Sequence, residues 1–544
     1  MGMGVSVDTT GRWKKVLRQF FTIDYVSSDD GVEVIEVCNA IANLGPEPEP
    51  YMIERLLREQ TIPGAAIMYS PNIIIAFVDQ LRCYPLFYST DPELLISNNA
   101  RQILNRAKIP KTWNTVGAEE LCMTGYVTGS DTLIEGIKQF RPGEWLIAYP
   151  KKRRFNLYRY YTYSPKPRHG RSDADWVKEL DEVMTQVTHR VVERANGRPI
   201  ELTLSAGLDS RLIACKLHQV SYPDLRLFSY GPRGNWEARG AERVSQILQT
   251  PWTFYPTTRR EAKDLFAREH RKRYWEFADG LSAQPNFQEY FTIYKLHEAG
   301  TLQNDVVLIN GQSGDFISGG HVPNSLFNPN PNVTTLLDAI IGKHYALWRS
   351  LLTPERIERM QERILESLNI RRTENLSPDE LMSLYEQWEC SERQSKWVIH
   401  AQRVIDFFGY AWQLPLWDME LVRFFERVPY HLKAGQTLYR LWLEQWNYRG
   451  LFKDFHPTVW SWPGSTLAVL PIGTLVECFL GSDAKNSWFE KMGYWGHTRE
   501  HMAPYSYLDY LGVCHDIRNC ISLNGRTWAR ENDLPTDIVD IGQG

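Results

Sequence analysis

The sequence predicts an α/β protein, in which a strand-rich first region precedes a parallel sheet flanked by helices, with a helical subregion beside the sheet. Three observations carry this. Residues 199–249 alternate short apolar runs with helical periodicity, the strand–helix–strand–helix pattern of βαβ units. Two turns of small residues, LSAGLDS (204–210) and INGQSGDFISGGH (309–321), each follow an apolar run. From 333 to 445 the apolar positions recur at helical spacing.

The first 165 residues read as mostly β. Ile73-Ile-Ile-Ala-Phe-Val78 has the continuous apolar character of a buried strand, and Trp145-Leu-Ile-Ala-Tyr149 follows a Pro142-Gly143 turn. Cys38 falls inside a helical segment and reads as a buried structural cysteine. The basic run PKKRRF (150–155) lacks interleaved aromatics and reads as a solvated hairpin turn. The polar stretch SPKPRHGRSD (164–173) places a linker at 166–175, between a first domain at 1–165 and a second at 176–544. Ser172 followed by Asp175 forms a capping-box pattern. It opens a helix whose Trp176, Leu180, Val183, Met184, Val187 and Val191 share one face, ending at Asn196-Gly197. Then come a strand from Pro199 to Leu204, a helix from Ser210 to Gln219, a strand from Leu225 to Tyr230, a helix from Trp236 to Gln249 and a strand from Asp305 to Asn310.

Composition narrows the function. With 61 basic and 65 acidic residues and 43% hydrophobic content, the chain is a globular protein with no electrostatic reason to bind nucleic acid. Its eight cysteines form no C-x-x-C pair, which argues against a zinc site or disulfide framework and for a reducing, cytoplasmic compartment. No run approaches 18 apolar residues, so no integral membrane segment is expected. Met1-Gly2-Met3-Gly4-Val5-Ser6 fits the N-myristoylation pattern, but so short a match is read as an ordinary N-terminus.

The turn at 205 sits between the carboxyl end of a strand and the start of a helix, where open parallel sheets bind ligands. A helix N-terminus offers unpaired N–H groups and partial positive charge, which suits phosphate. Ser205, Ala206, Gly207, Leu208 and Ser210 are the candidate phosphate loop: its small residues permit close backbone approach and its hydroxyls can donate. Asp209 repels phosphate directly, but its carboxylate suits magnesium held by a polyphosphate. The second turn repeats the design, with Asp315 among Gly311, Ser313 and Gly314. Two such turns at neighbouring strand ends could hold one metal–pyrophosphate unit, with Asp209 and Asp315 as its ligands. Ser229 and Tyr230, ending the strand 225–230, complete the candidate polyphosphate site.

Ser205-Ala-Gly-Leu-Asp-Ser210 resembles the S-G-G-x-D-S pyrophosphatase loop of the asparagine synthetase family, and Asn310–Gly320 resembles its S-G-E-G-S-D-E-L-F-G-G motif. Pro415-Leu-Trp-Asp418 is similar to the family's P-F-L-D segment. DQLRCYPLFYS (79–89) is similar to the R-D-x-x-G-x-x-P-L-Y-Y turn of the glutaminase domain that precedes the synthetase domain. The resemblance implies an Ntn-type glutaminase-like α+β domain followed by an ATP-pyrophosphatase-type synthetase domain. It implies ATP and magnesium as cofactors, and a carboxylate that attacks the α-phosphate before an amine displaces AMP.

Departures from the family pattern gather around the acceptor. Gln312 occupies the position of a catalytic glutamate, and an amide cannot take a proton. Gln413 replaces an arginine before P-F-L-D. TVWSWPGS (458–465) lacks the late catalytic lysine, leaving Lys453 as the nearest substitute. Ala206 replaces a glycine, which would cost about 1 kcal/mol if its φ were positive. The sequence opens Met-Gly-Met-Gly, without the cysteine that follows the initiator methionine in working glutaminases. The expectation is therefore an inactive glutaminase-like domain, with nitrogen from ammonia, a separate glutaminase or a substrate amine. The acceptor is expected to be a small or carrier-linked carboxylate other than aspartate. The second motif looks most like homologues from bacterial surface-polysaccharide (O-antigen) clusters, which points to a uronic acid. A lactam- or lasso-type cyclase and an inactive nucleotide-binding scaffold are the alternatives, and a homo-oligomer is compatible with the sequence.

Overall fold

The computed structural model describes residues 3–8, 12–28, 32–61, 63–455, 464–492 and 505–534. Met1 and Gly2, and most of TVWSWPGS, lie outside these residues.

Up to residue 159 the chain builds two sheets, one of six strands and one of four. The six-stranded sheet is antiparallel throughout, and its central strands explain their continuous apolar sequence. In Gly64–Tyr69, Ala65 and Ile67 face the large core while Ala66 and Met68 face a second core. Ile74–Val78 alternates the same way, with Ile74, Ala76 and Val78 on one side and Ile75 and Phe77 on the other. A strand buried on both faces loses the usual apolar–polar alternation. This region is less purely β than its sequence suggests: the helices Val32–Asn43, Pro50–Glu59, Ala100–Arg106 and Thr115–Thr124 are interspersed with the strands. The basic run lies in the hairpin joining Glu144–Tyr149 to Arg154–Arg159, with Lys151, Lys152, Arg153 and Arg154 exposed.

The helix Asp173–Ala195 starts where its cap predicts. Ser172 Oγ accepts from the Asp175 amide at 3.2 Å, and Asn196 in the left-handed region ends it. All six predicted face residues are buried. The helix therefore takes the last three residues of the expected linker. What remains is not a free tether, because Lys166 and Arg168 donate backbone hydrogen bonds to the carbonyls of Glu426 and Arg427 at 2.7 and 2.8 Å.

The third sheet is parallel, in the order Trp252–Pro256, Leu225–Gly231, Ile200–Thr203, Val307–Ile309, Ala411–Gln413. Chain order reverses direction across the sheet between Ile200–Thr203 and Val307–Ile309. The two turns noted in the sequence leave this pair of strands at their carboxyl ends, side by side. Helices Leu208–Gln219 and Trp236–Leu248 provide the crossovers. The helical subregion includes Pro378–Glu389, which continues into the π-helical stretch Cys390–Val398. It touches the first region directly: buried Lys396 donates to the carbonyls of Val127 and Gly129 at 3.0 and 2.6 Å and to Glu392 at 2.6 Å.

Candidate active site

A cleft of about 890 Å³ opens at the topological switch point, between the two turns. Ser205, Gly207, Leu208, Asp209, Ser210, Ser229, Tyr230, Gly311, Gln312, Ser313 and Asp315 all line it. Ala206 and Gly314 do not: Ala206 is buried beneath the loop, and Gly314 lies against Asp209. The first turn is tied by its hydroxyls. Ser210 Oγ accepts from the Ser205 amide at 3.1 Å and lies 3.0 Å from Ser205 Oγ, which itself accepts from the Gly207 amide at 3.1 Å. Gly207 caps the following helix at φ −67°, and Ala206 is not among the residues with positive φ. Alanine there is consequently free of the strain considered above.

The two turns touch. A Cβ on Gly311 would fall 2.6 Å from the Cα and amide nitrogen of Ser210, and one on Gly314 would fall 2.4 Å from Asp209 Oδ1. Glycine at both places is what lets the second turn close on the first. Ser313, between them, takes the left-handed conformation at φ 75°, which costs a β-carbon-bearing residue roughly 1 kcal/mol. The Asp315 amide then donates to Asp209 Oδ2 at 3.2 Å, and the Tyr439 hydroxyl donates to Oδ1 at 2.9 Å.

This geometry forces two carboxylates together. Burial, and then the charge of Asp315, push Asp209 up to about 7. Enclosure by the cleft wall also opposes ionisation of Asp315, but its 2.9 Å hydrogen bond to His321 Nε2 outweighs that and holds its carboxyl below the usual range. His321 Nδ1 meets buried Glu389. Burial works against its charge, yet Glu389 and Asp315 together raise it to about 9, so it is cationic at neutral pH. Among the described residues, no three or more His, Cys, Asp or Glu are grouped to hold a metal by themselves. Two carboxylates that share the remaining positions with water and substrate phosphates are the arrangement magnesium accepts. The mutual repulsion at Asp209 is the feature a divalent cation would relieve, so the donor set fits the ion.

Glu289, half-buried, lines the cleft beside Tyr230 and Asn310; Asn310 Nδ2 donates to it at 2.9 Å. Burial pushes its carboxyl up to about 7, although Tyr230 and Asn310 both hydrogen-bond the charged form. Its folded-state pKa lies above the unfolded value of 4.5. The associated stability is thus fully present below pH 4.5 and is lost as pH rises toward 7, on the order of 3 kcal/mol. Denaturant midpoints measured from pH 4.5 to 7.5 are expected to fall more steeply for the parent than for Glu289→Gln. Parallel curves would refute this assignment.

Comparison with known proteins adds a family to this geometry. The family described as asparagine synthase matches residues 179–463, just over half of the chain. The chain belongs to the asparagine synthase family. It is accordingly an ATP-dependent enzyme of the amidotransferase and ligase kind. Glutamine phosphoribosylpyrophosphate amidotransferase from B. subtilis, solved with ADP and GMP, is similar at 8% identity over 47% of this chain and 75% of that one. Its TM-score of 0.19 is too low for an argument. No protein of curated function matches.

Within this asparagine synthase framework the remaining sequence motifs separate into site and scaffold. Asp418 of the P-F-L-D-like segment is structural: Arg190 grips it bidentately at 2.8 and 2.7 Å, and it caps the helix Met419–Phe425. Gln413 is buried and donates to the Val191 carbonyl at 3.4 Å, outside the cleft. Asp79 of DQLRCYPLFYS is a buried turn-former that accepts from the amides of Gly64, Leu81 and Cys83. Lys453 is exposed and does not line the cleft. The structure also brings in residues the motifs did not single out: Glu289, Arg393, Gln394 and Gln436 line the cleft, and Tyr439 reaches Asp209. Each comes from a helix or turn far away in sequence, so no local pattern marked it.

Proposed function

We propose that the chain adenylates the carboxylate of a uronic acid, releasing pyrophosphate, and then joins nitrogen to it, as a step in cytoplasmic surface-polysaccharide (O-antigen) assembly. The apposition of Asp209 and Asp315 at the sheet's switch point is the observation that carries the adenylation step. In this reading Ser205, Gly207 and Ser210 cradle pyrophosphate, helped by the first-turn amides of Leu208–Gln219. Ser229 and Tyr230 border the nucleotide. Asp209 and Asp315 would hold magnesium, which when bound offsets the charge of the triphosphate and its leaving group. Their part is to fix the loop and orient the α-phosphate toward the acceptor. The cleft volume suits a nucleotide together with a small acceptor. Gln312 can orient an acceptor by hydrogen bonding but cannot deprotonate it, which favours an acceptor other than aspartate.

The test is ATP–pyrophosphate exchange across sugar acids, amino acids and precursor peptides. Uronic acids are expected to stimulate exchange and aspartate is not. Efficient asparagine formation would end the uronic acid reading, activity with peptides alone would make the enzyme a cyclase, and no exchange at all would leave a nucleotide-binding scaffold.

The same reading assigns residues 1–165 as an Ntn-type, glutaminase-like domain without activity, and 176–544 as the synthetase domain. Cys38 supports this: it is fully buried in the second core of the first region, and burial pushes its thiol far above the ordinary range. A thiol so placed meets neither glutamine nor a base. Incubation with glutamine, with and without ATP and acceptor, is expected to release no glutamate. Release that disappears in Cys38→Ala would make Cys38 the nucleophile.

A further inference from the structure

The cleft is lined by four carboxylates, Asp209, Glu237, Glu289 and Asp315, and by two basic side chains, His321 and Arg393. Both ring nitrogens of His321 are taken up by Asp315 and Glu389. Arg393 differs: among the described residues no carboxylate lies within ion-pair distance of it and no hydrogen bond uses its guanidinium. It projects from the π-helical stretch Cys390–Val398, an insertion-type geometry that reorients side chains and recurs at functional sites. The neighbouring Gln394 is fixed, its Oε1 accepting from Ser313 Oγ at 3.1 Å and its Nε2 donating to Glu389 at 3.1 Å. That bond ties the π-helical wall to the second turn at Ser313, next to Gln312. Gln312 also lines the cleft, and its Nε2 is buried without an acceptor. Arg393 and Gln312 are thus the chain neighbours of the two residues joined by the Ser313–Gln394 bond, and both line the cleft.

We propose that Arg393 and the Gln312 amide form an anion subsite on the acceptor side of the cleft, and that the acceptor carries a second anionic group, a phosphate or phosphate ester, besides the carboxylate to be activated. This deepens the uronic acid reading and rests on it for the identity of the sugar. A guanidinium clamped on the reacting carboxylate would withdraw electron density from the nucleophile; one holding a remote phosphate positions the acceptor without that penalty. Arginine suits a phosphate through its planar fork of donors, and the amide of Gln312 supplies a further donor. In this arrangement a carrier-linked sugar acid, with a phosphate at its anomeric carbon, is preferred over the free acid.

Two measurements separate this proposal from the reading beneath it. First, inorganic phosphate is titrated by calorimetry into protein saturated with magnesium and a non-hydrolysable ATP analogue, so that the loop at 205–210 is occupied. Binding is expected in the parent, weakened at least tenfold in Arg393→Gln and partly retained in Arg393→Lys. No binding in the parent, or equal binding in the parent and Arg393→Gln, would overturn the subsite. Second, exchange is measured with glucuronic acid and with glucuronic acid 1-phosphate. Arg393→Gln is expected to raise the KM for the phosphate ester tenfold or more, with the KM for ATP and that for the free acid unchanged. Equal losses with both acceptors, or a raised KM for ATP, would also overturn it. Arg393-dependent phosphate binding with no response to either sugar acid would keep the subsite and remove the uronic acid.

Discussion

Asp315→Asn is expected to slow ATP–pyrophosphate exchange on the order of 10³-fold, the scale on which removal of one preorganised electrostatic partner acts, while the protein stays folded. The two turns contribute one carboxylate each, Asp209 and Asp315, so neutralising one halves the formal charge they offer a magnesium ion. Asp315 is the cleaner position to change. Asp209 also accepts hydrogen bonds from Tyr439 and the Asp315 amide, so an asparagine there can leave a donor facing a donor. The thermal effect is expected to be small. Without magnesium, Asp209 is destabilised by burial and by the charge of Asp315. Removing that charge relieves Asp209 but also takes away the ion pair with His321, so the metal-free melting temperature at pH 7 should change little, while the gain on adding magnesium with ATP should shrink. Exchange by Asp315→Asn at the parental rate would remove both carboxylates from the mechanism. A large drop in metal-free melting temperature would make Asp315 a structural residue.

Lys433→Met is expected to destabilise the fold by about 3–5 kcal/mol, the usual consequence of leaving one partner of a buried ion pair uncompensated. Lys433 and Glu386 are almost wholly buried, 2.8 Å apart, and the Tyr430 hydroxyl donates to the same carboxylate at 2.9 Å. The effect also reaches the site. Gly319, at φ +90°, packs so closely on Lys433 that a Cβ there would fall 2.4 Å from the lysine's own Cβ, and Gln436 Nε2 donates to Ser318 Oγ at 2.8 Å. The segment 433–436 therefore braces the glycine turn that carries Asp315. Chemical denaturation of the single variant, and of Lys433→Met combined with Glu386→Gln, tests this. The double variant is expected to recover much of the loss, because the stranded charge is gone. A single variant as stable as the parent would show that the pair contributes nothing.

The sequence by itself determined the elements whose signals are local. The helix Asp173–Ala195 was legible because its cap, apolar stripe and left-handed terminator all lie within the segment. The strands leading to the two aspartate turns were legible because each turn carries small residues and one carboxylate directly after an apolar run. Those turns were enough to place Asp209 and Asp315 together, since parallel strands present their carboxyl ends on one side. The short strands Trp252–Pro256 and Ala411–Gln413 were not legible. They span five and three residues, and only pairing with neighbours makes them strands. Tertiary structure alone decided that Asp418 and Gln413, which align with family motifs, turn into the scaffold. It also decided that Glu289, Arg393 and Tyr439 converge on the cleft from helices and turns far apart in the chain. A motif records which residues are neighbours in sequence. The charges that set the behaviour of Asp209, Asp315 and His321 are neighbours only in space, and the burial that raises Asp209 exists only once the chain has closed around it.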